Sequence, residues 1–214
     1  ADCELTGVTC SKPRSEKITV ISGRPTVFDP VGAIVQGDLS RQGSIERHAR
    51  SFFQGNRYVL SSLVEAVCRR VDTGPVLDLY AGVGLFSVAL ASLGVEQITA
   101  VERDVSSRKD LVSNTTGTCV DVMGTSVERF LAGSSQSIPG TVIVDPPRTG
   151  LGRPVVDLLV QRQVSSLVYV ACDVATFARD LRRFGDAGYK VEDIEAFDMF
   201  PNSAHIELLA SLKQ

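Results

Sequence analysis

Pro75-Val76-Leu77-Asp78-Leu79-Tyr80-Ala81-Gly82-Val83-Gly84-Leu85-Phe86 decides the fold. The apolar run 75–80 reads as a strand buried on both faces. A helix is expected at 84–93, and it opens on a turn with glycine at every second position. Glycines there let backbone approach a ligand closely, and the N–H groups of the opening helix face it. Gly94 is placed to end that helix as its C′ residue.

Working outward, strands and helices keep alternating. Strands are expected at 97–102, 119–123, 141–145 and 166–171, and helices at 105–113, 126–132, 153–163 and 175–187. This rhythm predicts an α/β fold: a doubly wound, mostly parallel sheet covered on both faces. The ending departs from it. Segments 189–200 and 204–212 both read as strands. Only Pro201-Asn202-Ser203 separates them, too short for a crossover, so they should form an antiparallel hairpin.

Ahead of the sheet, Leu60, Leu63, Val64, Val67 and Val71 mark one face of a helix. Residues 1–50 are polar and rich in Gly, Ser and Arg. They are expected to be a remnant of another domain, set apart from a main domain at 51–214. Within them, 17–21 and 25–28 suggest a hairpin turned by Ser22-Gly23-Arg24.

The 214 residues, 43% hydrophobic and 22% charged, suit one compact domain with a small appendage. No apolar stretch is long enough to span a bilayer, and Ala1-Asp2-Cys3-Glu4 is not a signal peptide. The missing initiator Met points to a processed chain or an excised fragment. Five cysteines without a pairing pattern point to free thiols in a reducing, cytoplasmic setting. Net charge is −3, split as +3 over residues 1–70 and −6 beyond, so any nucleic-acid footprint is weak.

In an open parallel sheet, ligands bind outside the carboxyl ends of the strands. Gly82 and Gly84 follow the first such end, Glu102 stands at the second, Asp145 at another, and Cys172 just past the strand 166–171. A reversed last strand begins on the same rim and brings His205 and Glu207 there. Glu102 lies 18 residues beyond Gly84, a spacing at which an acid can hold a ribose hydroxyl. A nicotinamide cofactor and S-adenosylmethionine both fit this much. Ser87, at the dinucleotide fingerprint's third glycine, favours S-adenosylmethionine. Asp145-Pro146-Pro147-Arg148 stiffens its strand exit, because proline fixes φ and removes donors.

On these residues the chain resembles the RNA 5-methyluridine methyltransferases, which methylate carbon 5 of uracil in tRNA or rRNA using S-adenosylmethionine. The resemblance runs from Ser51-Phe52-Phe53-Gln54-Gly55-Asn56 to the C-terminus. It takes in Leu77 through Gly84, Asp145-Pro146-Pro147-Arg148, Cys172 through Leu181, and Asp198-Met199-Phe200-Pro201 through Glu207. It implies a Rossmann-like class I methyltransferase fold, acting as a monomer on RNA and needing no metal. Cys172 would be the nucleophile and Glu207 the base. Gln54, Tyr80, Gly82, Gly84, Glu102 and Asp145 would line the cofactor site; Phe52, Gln54 and Arg148 would meet the substrate. Residues 1–50 would end the family's RNA-contacting central domain. Its N-terminal RNA-binding module has no counterpart in this sequence, and Cys3 and Cys10 make no iron–sulfur set.

The chemistry asks for this pair. Uracil carbon 5 is a poor nucleophile; a thiolate adding at carbon 6 turns the ring into an enolate that accepts a methyl at carbon 5. A base must then take the carbon 5 proton so that the thiol can leave. A free thiol titrates near pH 8.5, so positive charge from Arg148 or Arg179 would help. Asp173-Val174 replaces the family's Asn-Pro after the cysteine, and an ionised Asp173 at the sulfur would oppose the thiolate. Asn202-Ser203 replaces its His-Thr, and Leu85 a polar residue after the glycine turn. Two other classes stand beside this reading. One is a catalytically impaired S-adenosylmethionine-binding or RNA-binding fragment. The other is a nicotinamide oxidoreductase, against which Ser87 argues. Cys68 and Cys119 read as structural, His205 as a hydrogen-bonded structural group, and the Arg69-Arg70 and Arg182-Arg183 pairs as solvated helix faces.

Overall fold

A computed structural model describes residues 5–12, 18–35, 43–133, 138 and 140–214. The N-terminal segment makes two short antiparallel ladders. β1 (Gly7–Ser11) pairs with β2 (Ile18–Gly23); β3 (Thr26–Pro30) pairs with β4 (Ser44–His48), and α1 (Val31–Ile34) follows β3. This corrects the hairpin expected between 17–21 and 25–28. Both segments are extended, but they take different partners. Gly23 pairs with Gly7 and the Arg24 N–H donates to the Thr6 carbonyl, so the turn residues extend the β1–β2 ladder. Lys17 and Cys3 lie outside the described residues.

α2 (Arg57–Arg69) buries Leu60, Leu63, Val64 and Val67, the stripe that its 3.6-residue period predicts. From there the alternation is as read: β5 (Val76–Leu79), α3 (Leu85–Ser92), β6 (Ile98–Val101), α4 (Val105–Asn114), β7 (Val120–Met123), α5 (Val127–Ala132), β8 (Thr141–Val144), α6 (Arg153–Gln161), β9 (Ser166–Ala171) and α7 (Val174–Asp186). β10 (Lys190–Phe197) and β11 (Glu207–Lys213) close the chain. Their connection, 198–206, is longer than the three-residue turn expected, with Asn202 at φ 65° in the left-handed region.

One seven-stranded sheet runs in the order β10-β11-β9-β8-β5-β6-β7. All neighbours are parallel except β11, which opposes both β9 and β10. This is the Rossmann-like sheet expected, with its antiparallel ending. The order reverses between β5 and β8, and that divergence opens the crevice at which such sheets bind ligands. β5, β8 and β9 are buried along their whole length, which explains why they read as unbroken apolar runs. One face packs on α2 and α3, the other on α6 and α7. Val31, Ile34, Val35 and Ile45 join the α2–α3 core, so the segment after residue 30 packs on the sheet domain.

Buried polar groups pin the layers. Asp180 of α7 accepts from the Leu151 N–H at 2.7 Å and the Tyr169 hydroxyl at 2.9 Å, and pairs with Arg179 and Arg183. Both arginines therefore brace the loop before α6 rather than standing free in solvent. Arg70 is likewise no solvated face: it is held by Asp193 and Glu195 of β10. Asp180 gathers four donors on a fully buried carboxylate, and removing it leaves the buried Leu151 N–H and Tyr169 hydroxyl without their acceptor and Arg179 and Arg183 without their counter-ion. Asp180→Ala should cost about 3–5 kcal/mol of stability in urea denaturation, whereas a cost below about 1 kcal/mol would mean water replaces the carboxylate.

Candidate active site

The carboxyl ends of β5, β6, β8 and β9 open into a cleft of about 1030 Å³. Phe52, Gln54, Tyr80, Gly82, Glu102, Asp145, Arg148, Cys172 and Glu207 all line it. Of the residues singled out in the sequence, Gly84 stands behind the wall. Its φ of 94° starts α3, and a Cβ there would meet Leu111 Cδ1 at 2.6 Å. Gly82, at φ 57°, has open space where a Cβ would lie. One glycine is needed for packing, the other leaves room in the cleft.

Glu102 holds the glycine turn in place. Its carboxylate accepts from the Gly82 N–H at 2.9 Å and the Asp104 N–H at 2.5 Å. Burial pushes its pKa up, and those N–H groups pull against that. Each oxygen keeps a lone pair for a hydroxyl in the cleft. Tyr80 also adopts a positive φ of 63°, uncommon for a non-glycine residue and a mark of strain at functional turns. Ser87, the residue at the third glycine position, donates to buried Asp78 at 2.6 Å and so ties α3 to β5. Asn114 of α4 donates to the Val83 carbonyl of the turn and to the Glu46 carbonyl of β4, and accepts from the Glu46 N–H. Asp110, one helical turn earlier, accepts from the His48 N–H and the Ser51 hydroxyl. α4 thus fixes the glycine turn and the strand leading into Phe52 to one frame. Neither residue stood out in the sequence, where a polar α4 offers no signal for what it meets.

Strand register brings the nucleophile and base candidates together. The β9–β11 ladder ends at the Leu208–Ala171 pair, so Glu207 and Cys172 are the next residues beyond it on the two strands, and both line the cleft. Glu207 is 1% exposed, and neither carboxylate oxygen has a hydrogen-bond partner among the described residues. Burial pushes its pKa up to about 7. Asp145 is driven well above the carboxylate range by burial, then by the charges of Glu207 and Asp78. Asp78 itself is pushed up to about 7, chiefly by burial. Cys172 is half-buried; burial and the Glu207 and Asp145 carboxylates raise its thiol, and Arg148 opposes them.

Two sequence expectations change. Asp173 does not confront the sulfur: it caps α7, accepting from the Thr176 N–H at 2.8 Å, which holds its carboxyl below the usual range. Arg179 is committed to Asp180 and the Thr149 carbonyl, leaving Arg148 as the cation acting on Cys172. The N-cap signal, an Asp just before a helix, was present in the sequence. His205 does not line the cleft; its ring stands edge-on to Phe200, which does.

Gln54 lines the cleft and is buried, with its Oε1 unpaired. Phe52 is 71% exposed at the cleft wall, while Phe53 lies under the Arg47 guanidinium at 4.8 Å. Among the described residues, no three His, Cys, Asp or Glu are grouped to hold a metal ion, and no helix is long and apolar enough to cross a membrane.

Residues 134–214 match the sequence family described as tRNA (Uracil-5-)-methyltransferase. The chain is 38% identical over 168 residues to a tRNA (uracil(54)-C(5))-methyltransferase of Pyrococcus horikoshii, which covers 77% of this chain and 39% of that protein. It is 34% identical over 197 residues to a 23S rRNA (uracil(747)-C(5))-methyltransferase of Pyrococcus abyssi, covering 87% of this chain and 46% of that one. The crystal structure of a Pyrococcus abyssi tRNA (uracil-54, C5)-methyltransferase in complex with S-adenosyl-L-homocysteine superposes with a TM-score of 0.77 at 28% identity. That match covers 98% of this chain and 51% of the other. The chain therefore spans about half or less of the relatives it matches, and the family resemblance read from its sequence is borne out.

The buried carboxylate has a cost that can be read. Glu207 is raised from 4.5 to about 7, so the fold favours its neutral form. That contribution is complete below about pH 4.5 and is lost as pH rises through about 7. Glu207→Gln, always neutral, escapes the loss. Its stability relative to the parent should rise by about 3 kcal/mol between about pH 4.5 and pH 8.5 in urea melts. A difference that stays flat with pH would mean the carboxylate is solvated.

Proposed function

We propose that this chain, as a segment of the RNA (uracil-5-)-methyltransferase family, binds S-adenosylmethionine and transfers its methyl group to carbon 5 of a uridine in tRNA or rRNA. The transfer passes through a covalent bond between Cys172 and uracil carbon 6. The observation that carries this reading is the ladder that ends at Leu208–Ala171 and brings buried, unpaired Glu207 and Cys172 to the same cleft. The relatives named for uracil-C5 methylation of tRNA and rRNA support the substrate class.

The cleft fits the cofactor on its own terms. Gly82 leaves open space, Glu102 offers acceptors for ribose hydroxyls, and Gln54 carries an unanswered Oε1. Tyr80 adds an apolar wall beside them. S-adenosylmethionine supplies an electrophilic methyl on a sulfonium centre. Everything else falls to the protein and the uracil. Phe52 stacks on the target base once it has left its RNA stack. Cys172, whose thiol is raised by burial and the nearby carboxylates with Arg148 opposing them, adds as the thiolate to carbon 6 and gives an enolate. Asp145, whose carboxyl is pushed upward by burial and by Glu207 and Asp78, is in its neutral form a donor for the carbonyl on which that charge gathers. Carbon 5 takes the methyl. Glu207 then removes the carbon 5 proton, the carbon 5–carbon 6 double bond re-forms, and the Cys172 sulfur leaves.

Residues 51–214 are the catalytic unit in this account, and residues 1–50 the RNA-contacting part. The protein acts as a monomer in the cytoplasm, where its thiols stay reduced. The alternative of a non-catalytic, cofactor-binding fragment leaned on Asp173 and on the weak basic character; the first support weakens, because Asp173 caps α7 and accepts from the Thr176 N–H.

The test is methyl transfer from labelled S-adenosylmethionine to tRNA and rRNA transcripts, with the product nucleoside identified after digestion. The label should appear as 5-methyluridine, and Cys172→Ala should lose about 10³-fold or more of the rate. Glu207 acts only when deprotonated, and its pKa is raised to about 7, so the rate should fall on the acid side of about pH 7. Full activity in Cys172→Ala, or label on a base amino group, would sink the reading.

A further inference from the structure

Tyr58 is 81% exposed, an unusual place for a large aromatic ring that packs on no core. It stands in the first turn of α2, four residues beyond Gln54 of the cleft wall. Four residues of chain reach at most about 14 Å, which bounds the separation of the Tyr58 and Gln54 Cα atoms, and neither Arg57 nor Tyr58 lines the cleft itself. The ring is not loose. The Arg57 guanidinium stacks over it with 5.2 Å to the centroid and donates to its hydroxyl at 3.3 Å. Its backbone is fixed too: Asn56 accepts from the Tyr58 N–H, and the Asn56 amide donates to the Asp198 carbonyl at 3.1 Å. Asp198 opens the loop that carries Phe200, another cleft residue, toward Glu207. Arg57 and Tyr58 thus stand as one braced, cationic, aromatic platform just after the cleft-lining segment 52–54, tied through Asn56 to the loop that carries Phe200.

We infer that the Arg57–Tyr58 stack is a second base-stacking subsite, which takes the nucleotide next to the target uridine. The inference rests on the reading of the cleft as a uridine site. Extruding a base deprives its neighbour of one stacking face. An exposed aromatic ring restores that face without regard to base identity, because every base has a π-face. A guanidinium against the ring strengthens it by cation–π attraction and adds a positive charge for the adjoining phosphate. The occupant is therefore a single-stranded ribonucleotide. Discrimination at this position should be slight.

The probe is a short single-stranded RNA carrying one uridine, with 2-aminopurine on its 5′ side in one version and its 3′ side in another. The 214-residue chain is titrated with each. One version should show 2-aminopurine quenching on binding. Tyr58→Phe, which keeps the ring, should quench equally and bind with unchanged affinity. Tyr58→Ala should lose the quench and bind about tenfold more weakly, a single stacking interaction's worth. Its melting temperature and S-adenosylhomocysteine affinity should not move, since the ring supports neither core nor cofactor wall. Unchanged RNA affinity and quenching in Tyr58→Ala would overturn the subsite, as would Tyr58→Phe behaving like Tyr58→Ala. A chain that binds and quenches but makes no 5-methyluridine would keep the subsite and remove the proposed reaction. A chain that binds neither RNA would remove both.

Discussion

A single reversed strand sets the chemistry of this molecule. β11 lies between β9 and β10 and opposes both, so its first residue meets the last residues of its neighbours. Were it parallel, Glu207 would sit at the far edge of the sheet, away from every glycine turn and strand exit. Reversal instead puts a carboxylate in the same cleft as Cys172, on the rim where the parallel strands already deliver Gly82, Glu102 and Asp145. Hydrogen bonds along seven β10–β11 pairs and six β11–β9 pairs hold the register. A slip of one residue would turn every side chain of the strand to the other face.

That placement works against stability. Glu207 and Asp78 are buried carboxyl groups and Asp145 is a partly buried one on the cleft wall, and each is pushed toward its neutral form. A buried carboxylate without a partner is costly in a fold whose purpose is only to be stable. It suits a base that must hold a proton briefly near neutral pH. The rest of the sheet offsets the expense with strands buried on both faces and with polar anchors such as Asp180 and Asn114. Both anchors lie just outside the cleft and fix the loops that form its walls.

Local patterns in the sequence carried much of this. The apolar runs of β5, β8 and β9 and the glycine turn predicted strands and a rim, and the short Pro201-Asn202-Ser203 link predicted the reversal. Pairing between distant segments was not legible in the same way. Residues 17–21 and 25–28 looked like partners because a glycine turn joins them, yet β1 and β4 take the edges of β2 and β3. Arg70 looked solvated because nothing local reveals Asp193 and Glu195 on β10. Asp173 is a different case. Read for its charge beside Cys172 it looked obstructive; read as the residue before a helix it is a cap, and its carboxylate is spent on Thr176. Ser87 made a related double reading: evidence against a dinucleotide fingerprint, and also the hydroxyl that ties α3 to Asp78.

The central claim is that Cys172 bonds covalently to uracil and Glu207 releases it. RNA carrying 5-fluorouridine at the target position tests this most directly, because fluorine cannot be removed as a proton and the adduct should persist. With S-adenosylmethionine present, peptide mass spectrometry should find the methylated fluorouridine bonded to the Cys172 sulfur. An active protein that methylates uridine yet forms no such bond, or forms it at another residue, would contradict the account.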